Sequence, residues 1–316
     1  MIKTWLCGVL AAMVPAGLFA FEDELFRYLP PNPTVAAYAS LDAVRGTWIE
    51  AKALQLNRTL AQKHGGVCDF TAYADQFHTG ALAFYGYVSA REQIYLIRTD
   101  VKPQLFYSLL EGVVAYPLEH FEDDDQPGVV FPPEAVNRKF RDKLEVCSFY
   151  PEPGVVFFGD TGWVYKLEKR TGEGDAKAFP EFDEVPGKAF AMLLAYPQKI
   201  PLVAPFVGGA DYALFYVVPA EGKDGGLIIH GKIVCSDIKA IGRPVRPAAE
   251  VAGRLAANLP ALAPMLALLM PEDGTLAFEA AAGMTTKAEG NTVEITWPVS
   301  RKLAEKIFDY YAEHLR

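Results

Sequence analysis

Cysteine is scarce in this chain of 316 residues, which contains only four, at positions 7, 68, 147 and 235. No CxxC spacing occurs, so the pattern of a zinc knuckle or a thioredoxin-type redox site is missing. Cys147 and Cys235 lie in apolar runs, which predicts buried free thiols. The sequence leaves open whether any two of Cys68, Cys147 and Cys235 pair. It excludes a disulfide framework, so a hydrophobic core must stabilise the fold.

Runs of basic residues are also missing. The chain has 30 lysines and arginines against 39 aspartates and glutamates, and its formal net charge is −9. Nucleic-acid binding relies on clustered Lys and Arg that neutralise phosphates, and an anionic membrane surface attracts the same clusters. We therefore expect no nucleic-acid partner.

Long apolar segments are absent after residue 20. A helix that spans a bilayer needs roughly twenty apolar residues. The most apolar stretches, residues 201–210 and 259–270, are shorter, and prolines such as Pro205 and Pro264 interrupt them. We expect no membrane span in the mature chain.

The motifs of common enzyme classes are missing as well. No serine lies in a GxSxG elbow, and no two histidines form an HExxH pair. The five histidines are His64, His78, His120, His230 and His314. We therefore assign no catalytic, cofactor-binding or metal-ligating residue and expect no cofactor. A catalytic site assembled from distant positions stays open, because geometry and not chain order defines it.

Two segments imitate known ligand-binding motifs. Residues 226–232 match the GxxxxGK skeleton of a phosphate-binding loop, but their apolar interior predicts a strand. Residues 120–125 concentrate carboxylates without the alternate spacing of a calcium-binding loop. We predict a solvated acidic loop there.

The first twenty residues have the order of a secretory signal. Lys3 precedes an uncharged apolar stretch, residues 5–14, and small residues lead to Ala20. Three carboxylates follow at positions 22–24. We predict a signal peptide over residues 1–20 and export of the remainder to the periplasm or the outside of the cell.

The remainder reads as a folded α+β body. Hydrophobic residues make up 51% of the sequence and charged residues 22%, which supports a core and argues against disorder. A strand, a turn, a second strand and a capped helix recur along the sequence, and the short turns between the strands indicate antiparallel pairing. We predict antiparallel sheets with helices on one face. The predicted strand pairs are 81–88 with 93–98, 212–218 with 226–235, and 275–280 with 292–297.

Four helices accompany these strands. Apolar residues at helical spacing predict helices over residues 41–63, 101–111, 247–259 and 301–314. A polar stretch with Gly and Pro, residues 171–187, indicates a junction. We therefore divide the body into two related halves, residues 21–175 and 176–316.

The start of the body carries a resemblance. Its sequence from Tyr28 reads Tyr-Leu-Pro-Pro-Asn-Pro-Thr-Val. This resembles the start of a loose group of secreted bacterial proteins of unknown function, in which Leu-Pro and a small polar turn precede a strand and a long helix. The resemblance implies an envelope location and a duplicated α+β body. It transfers no functional residue.

Three functional hypotheses follow. The first is a non-enzymatic envelope protein that binds a protein or a glycan through a sheet or groove surface. The alternative is a secreted hydrolase of an extracellular polymer, whose carboxylates meet only in the fold. The third is an inhibitor or assembly factor that works through an apolar edge strand. Aromatic residues that could bind a glycan or pack the core fall on predicted strands: Phe84, Tyr85, Tyr87, Phe149, Phe157, Phe158, Trp163, Tyr165, Phe215 and Tyr216.

Overall fold

A computed structural model provides the tertiary structure. It describes residues 25–30, 33–63, 70–85, 93–114, 117–123, 126–132, 146–163, 179–200, 209–221, 225–238, 245–259, 275–276, 279 and 282–314. The predicted signal peptide, Cys68 and His64 lie outside these residues.

The strands of the described residues form one antiparallel sheet of twelve, which confirms the predicted α+β class with antiparallel pairing. Their spatial order is β11-β12-β10-β9-β8-β1-β2-β3-β7-β6-β5-β4. The strands are β1 Val35–Ser40, β2 Phe77–Phe84, β3 Gln93–Thr99, β4 Glu119–Asp123, β5 Gln126–Phe131, β6 Val146–Glu152, β7 Val155–Asp160, β8 Ala191–Ala195, β9 Ala210–Pro219, β10 Leu227–Cys235, β11 Thr285–Glu289 and β12 Thr292–Val299.

Four α-helices of the described residues pack against one face of the sheet, which we call the helix face. They are α1 Trp48–Lys63, α2 Pro103–Val114, α3 Ala248–Asn258 and α4 Arg301–His314. Side chains alternate between the faces of a strand. Val156 and Phe158 of β7 therefore pack with Phe106 of α2, while Phe157 between them joins the core on the opposite face.

That opposite face, which we call the open face, has no helix over its centre among the described residues. Two short 3-10 segments cover it instead, Phe26–Tyr28 and Pro180–Glu184. The ring centroid of Phe182 lies 4.8 Å from that of Phe26 and 5.7 Å from that of Phe179. At the C-terminal end of the segment predicted as a polar junction, residues 171–187, the aromatic side chains of Phe179 and Phe182 are therefore buried in the core.

Several predicted elements are confirmed, and two need correction. The strand pairs β2–β3 and β9–β10 and helices α2, α3 and α4 form where the sequence predicts them, with boundaries that differ by a few residues. Helix α1 begins at Trp48, because turns occupy residues 41–47. Thr275 and Leu276 are helical and not part of a strand. The strand that pairs with β12 is β11, which follows in the segment predicted as a turn.

Helices α1 and α4 join the beginning and the end of the body. The ammonium of Lys52 lies 2.6 Å from a carboxylate oxygen of Asp309. The Trp48 ring meets the edge of Phe308 and donates its indole N–H to the carbonyl of Gly225 at 3.2 Å. Contacts so far apart in sequence tie the two predicted halves together on the helix face.

The two described cysteines are buried in the core without a disulfide, as the sequence predicts. Cys147 and Cys235 are each 1% exposed, on β6 and β10. Burial, followed by the carboxylate of Asp211, raises the pKa of Cys235, which disfavours the reactive thiolate.

We expect both thiols to resist alkylation in the native protein. Each thiol can react only after local or global unfolding exposes it. Labelling by iodoacetamide should therefore be at least roughly 100-fold slower in the native protein than in protein unfolded by guanidinium. Mass spectrometry of the peptides that contain Cys147 and Cys235 measures each site separately. Equal labelling in both conditions would contradict the packing of these strands.

Candidate functional site

Along strands β9 to β12 the open face carries several polar side chains, and none of the described helices lies over it. The register aligns its side chains in rows that run across the strands. One row contains Leu214, Lys232 and Glu294, and the next contains Tyr216, His230 and Thr296. Glu294 and Thr296 are exposed, while Tyr216, His230 and Lys232 are half-buried. Aromatic rings therefore border a solvated, polar sheet surface.

Three tyrosines on this surface each lie near a carboxylate. We call the group the tyrosine–carboxylate band. It consists of Tyr196, Tyr212, Tyr216, His230, Lys232, Glu181, Glu184 and Glu294. Strands β9, β10 and β12 supply its floor, and the 3-10 segment Pro180–Glu184 supplies Glu181 and Glu184 from above.

The inner end of the band is Tyr196 with Glu181. The Tyr196 hydroxyl donates to Oε1 of Glu181 at 3.0 Å. Burial, and then the charge of Glu181, raise the pKa of Tyr196 well above its usual value, so the phenol stays a donor. Oε2 of Glu181 is buried and receives no hydrogen bond from the described residues. An acceptor in that state costs about 1–3 kcal/mol until a donor reaches it.

Lys199 closes this inner end. Its ammonium lies 4.5 Å from the ring centroid of Tyr196 and donates to the carbonyl of Pro33 at 3.0 Å. Burial lowers the pKa of Lys199. The cation therefore contacts the ring of Tyr196 and links it to the backbone of Pro33.

The middle of the band is an ion pair beside Tyr212. Lys232 of β10 donates a hydrogen bond to the carboxylate of Glu184, and this bond raises the pKa of Lys232. Burial and the Glu184 carboxylate raise the pKa of Tyr212, whereas Lys232 acts in the opposite direction. The pair is 33% and 45% exposed, so water and ligands can reach it.

The outer end is a stacked pair of rings. Tyr216 and His230 are directly opposite on β9 and β10, with centroids 5.0 Å apart and planes 22° apart. Burial, and then the nearby Glu294 carboxylate, raise the pKa of Tyr216. The two rings cover one face of each other, and Glu294 is exposed in the neighbouring row on β12.

This arrangement provides groups that can bind a ligand. Carboxylate oxygens accept hydrogen bonds, the Lys232 ammonium donates them, and the aromatic pair offers an apolar surface. Within the described segments, no group of three or more histidine, cysteine or acidic side chains could hold a metal ion.

Another polar cluster, around His78, is a structural clamp. Its Nδ1 lies 3.1 Å from Asp42 and its Nε2 lies 3.0 Å from Asp100. Arg45 binds Asp42 and also donates to the carbonyls of Ala74 and Phe77. The cluster joins the segment after β1, the start of β2 and the end of β3, which explains its contacts without a ligand.

The two segments that imitate ligand-binding motifs, residues 226–232 and 120–125, contribute to β-strands. Residues 227–232 of the GxxxxGK match form part of strand β10, as predicted, and Lys232 pairs with a carboxylate. The predicted acidic loop is corrected in part, because Glu119–Asp123 forms strand β4; Asp124 and Asp125 lie outside the described residues. His120 on this strand lies 3.1 Å from Glu111 of α2.

The edge strands of the described sheet are polar. Strand β11 exposes Thr285, Lys287 and Glu289, and strand β4 exposes Glu119 and Glu122. Charged side chains on edge strands discourage pairing with another chain. The apolar edge required by the third hypothesis is not found in the described residues.

Sequence reasoning missed the band because its members come from separate segments. It named Tyr216 among strand aromatics and His230 among histidines, but it placed Glu181 and Glu184 in a polar junction. The signal that could have found them is the aromatic spacing of Phe179 and Phe182, which indicates a buried segment that carries these glutamates to the sheet.

The protein resembles a solved structure in its fold, but its sequence matches no known family. No family model and no curated protein matches the sequence. Among solved structures, the fold is similar to that of TP0453 from the bacterium Treponema, over 90% of this chain and 96% of that one, with a TM-score of 0.47 and 10% sequence identity. None of the helices in the described segments has both the length and the hydrophobicity that crossing a bilayer requires.

Proposed function

We propose that this protein is an exported, non-enzymatic binding protein whose tyrosine–carboxylate band contacts the partner. The observation that carries the proposal is the placement of half-buried Tyr216 and His230 near exposed Glu294, on a sheet face over which no described helix lies. A sheet face that only meets water needs no stacked rings, and binding sites combine a few polar groups with aromatic surface.

A thermal-shift screen of the purified protein tests this proposal. Its ligand classes are saccharides, cationic and anionic peptides, and divalent metals with and without EDTA. A ligand at 100 times its dissociation constant adds about 2.7 kcal/mol, which raises the melting temperature by several degrees. We expect such a shift in the wild type and its loss in a variant with His230→Ala and Glu294→Gln.

Three results would contradict the binding proposal. The first is a flat screen across all ligand classes, and the second is a thermal shift of equal size in the wild type and the variant. The third is release of soluble products from an extracellular polymer, which would favour the hydrolase alternative. The Glu289→Gln variant is the matched control, because Glu289 is exposed on β11 outside the band.

Export is part of the same proposal. Its support is the order of basic, apolar and small residues before Ala20. Expression in a bacterial host with cell fractionation is the test. We expect the protein in the periplasm or medium with Phe21 as its first residue, and retention of Met1 in the cytoplasm would refute export.

We also propose that the body consists of two related halves with a boundary near residue 175. Outward from the central β1–β8 pair, the order is β1-β2-β3-β7-β6-β5-β4 on one side and β8-β9-β10-β12-β11 on the other, so the halves would correspond in their first five strands. A helix follows the third strand of each series, α2 after β3 and α3 after β10. Coexpression of residues 21–175 with residues 176–316 should yield a soluble complex, and two insoluble pieces would count against a boundary near residue 175.

A further inference from the structure

The chemistry of the tyrosine–carboxylate band selects among possible partners. We propose that its ligand is a chain of neutral sugars. This inference rests on the proposed binding function and adds the class of ligand to it. The support comes from the hydrogen-bonding groups, the ring surface, the charge and the width of the band.

The hydrogen-bonding groups of the band call for a ligand rich in donors. Glu184 and Glu294 present carboxylates toward solvent. Ionised carboxylates only accept hydrogen bonds. Sugar hydroxyls donate to such oxygens, and they can also accept from the Lys232 ammonium. One ligand chemistry therefore satisfies both kinds of group.

The ring surface requires an apolar patch on the same ligand. Tyr216 and His230 form a stacked pair at the outer end of the band, and Glu294 lies beside them. A pyranose has C–H groups on its faces and hydroxyls around its rim. It can therefore lie against an aromatic ring while its rim bonds to the carboxylate.

Charge and width argue for a neutral chain over a cationic peptide. The band has three carboxylates, but Lys232 lies between Leu214 and Glu294 in the middle row and already pairs with Glu184. A peptide of lysines would meet this ammonium. Neighbouring strands are about 4.8 Å apart, so β9, β10 and β12 span roughly 10 Å, which accommodates about two sugar rings.

Isothermal titration tests the inference directly. The probes are neutral hexasaccharides of glucose, xylose and N-acetylglucosamine, with hexalysine as the cationic alternative. We expect at least one hexasaccharide to bind the wild type. Tyr216→Leu should weaken it about 10-fold or more, which corresponds to about 1.4 kcal/mol. Tyr216→Phe should weaken it less because the ring remains. Glu294→Gln should also weaken binding, while Glu289→Gln should leave it unchanged.

The outcomes of this titration distinguish the sugar assignment from the proposed binding function of the band. The sugar assignment is overturned if no hexasaccharide binds. It is also overturned if a hexasaccharide binds with the same affinity to the wild type, to Tyr216→Leu and to Glu294→Gln. If hexalysine alone binds and Glu294→Gln abolishes that binding, the sugar assignment fails while the band remains a binding site. Melting temperatures of the variants exclude unfolding as the cause, and Tyr216→Phe supplies a second reading if Tyr216→Leu is unstable.

Discussion

Replacing Phe182 with alanine is expected to lower the free energy of unfolding by about 3–5 kcal/mol, the usual loss for a fully buried phenylalanine. Phe182 is 0% exposed, and its ring packs between those of Phe26 and Phe179. The cavity would lie under the segment that covers the open face. Urea unfolding, followed by tryptophan fluorescence, measures the loss.

The same substitution should disturb the band. Glu181 and Glu184 flank Phe182 on one short 3-10 turn, so a loosened Phe182 releases the hydrogen bonds to Tyr196 and Lys232. Phe182→Leu retains most of the buried volume and should cost clearly less. A loss below about 1 kcal/mol for Phe182→Ala would mean that this segment is not part of the core.

The second large effect is expected at Gly226, immediately before β10. A Cβ atom there would lie 2.0 Å from the carbonyl oxygen of Val299 and 2.6 Å from the amide nitrogen of Arg301. Both are backbone atoms at the junction of β12 and α4, so no rotamer change relieves the clash. Gly226→Ala should destabilise the protein by about 3 kcal/mol or more.

Gly253 provides the matched control. It is exposed within α3, and an added Cβ atom would meet nothing within 4 Å. Gly253→Ala should stabilise the protein by about 0.5–1 kcal/mol, because alanine favours helix and reduces the freedom of the unfolded chain. Thermal unfolding of the two variants should therefore shift in opposite directions. A neutral Gly226→Ala would contradict the close approach of the two backbones.

Sequence reasoning was most successful where neighbouring residues decide the structure. Helix α4 begins after Ser300, whose hydroxyl accepts the Leu303 N–H, as the capping pattern predicts. The pair β9–β10 follows from two apolar runs around a turn. The sequence did not predict strand β11. Its residues Thr-Thr-Lys-Ala-Glu have no apolar alternation, because an exposed edge strand buries neither face strongly.

The candidate site was mostly beyond prediction. Tyr216, His230 and Lys232 lie on two strands whose local pairing the sequence indicates, so their proximity was foreseeable from register. Glu181 and Glu184 reach them only because Phe182 anchors their segment across β8 and β9. No local pattern specifies that crossing.

The sequence by itself determined the α+β class, the antiparallel hairpins and the capped helices, since spacing, turn residues and caps act over a few residues. Tertiary structure alone decided that β1 pairs with β8, that all the described strands form one sheet, and that three tyrosines share a face with three carboxylates. The physical reason is distance along the chain. Those contacts depend on burial and strand register between distant segments. The same local pattern is compatible with other strand orders and other tertiary contacts.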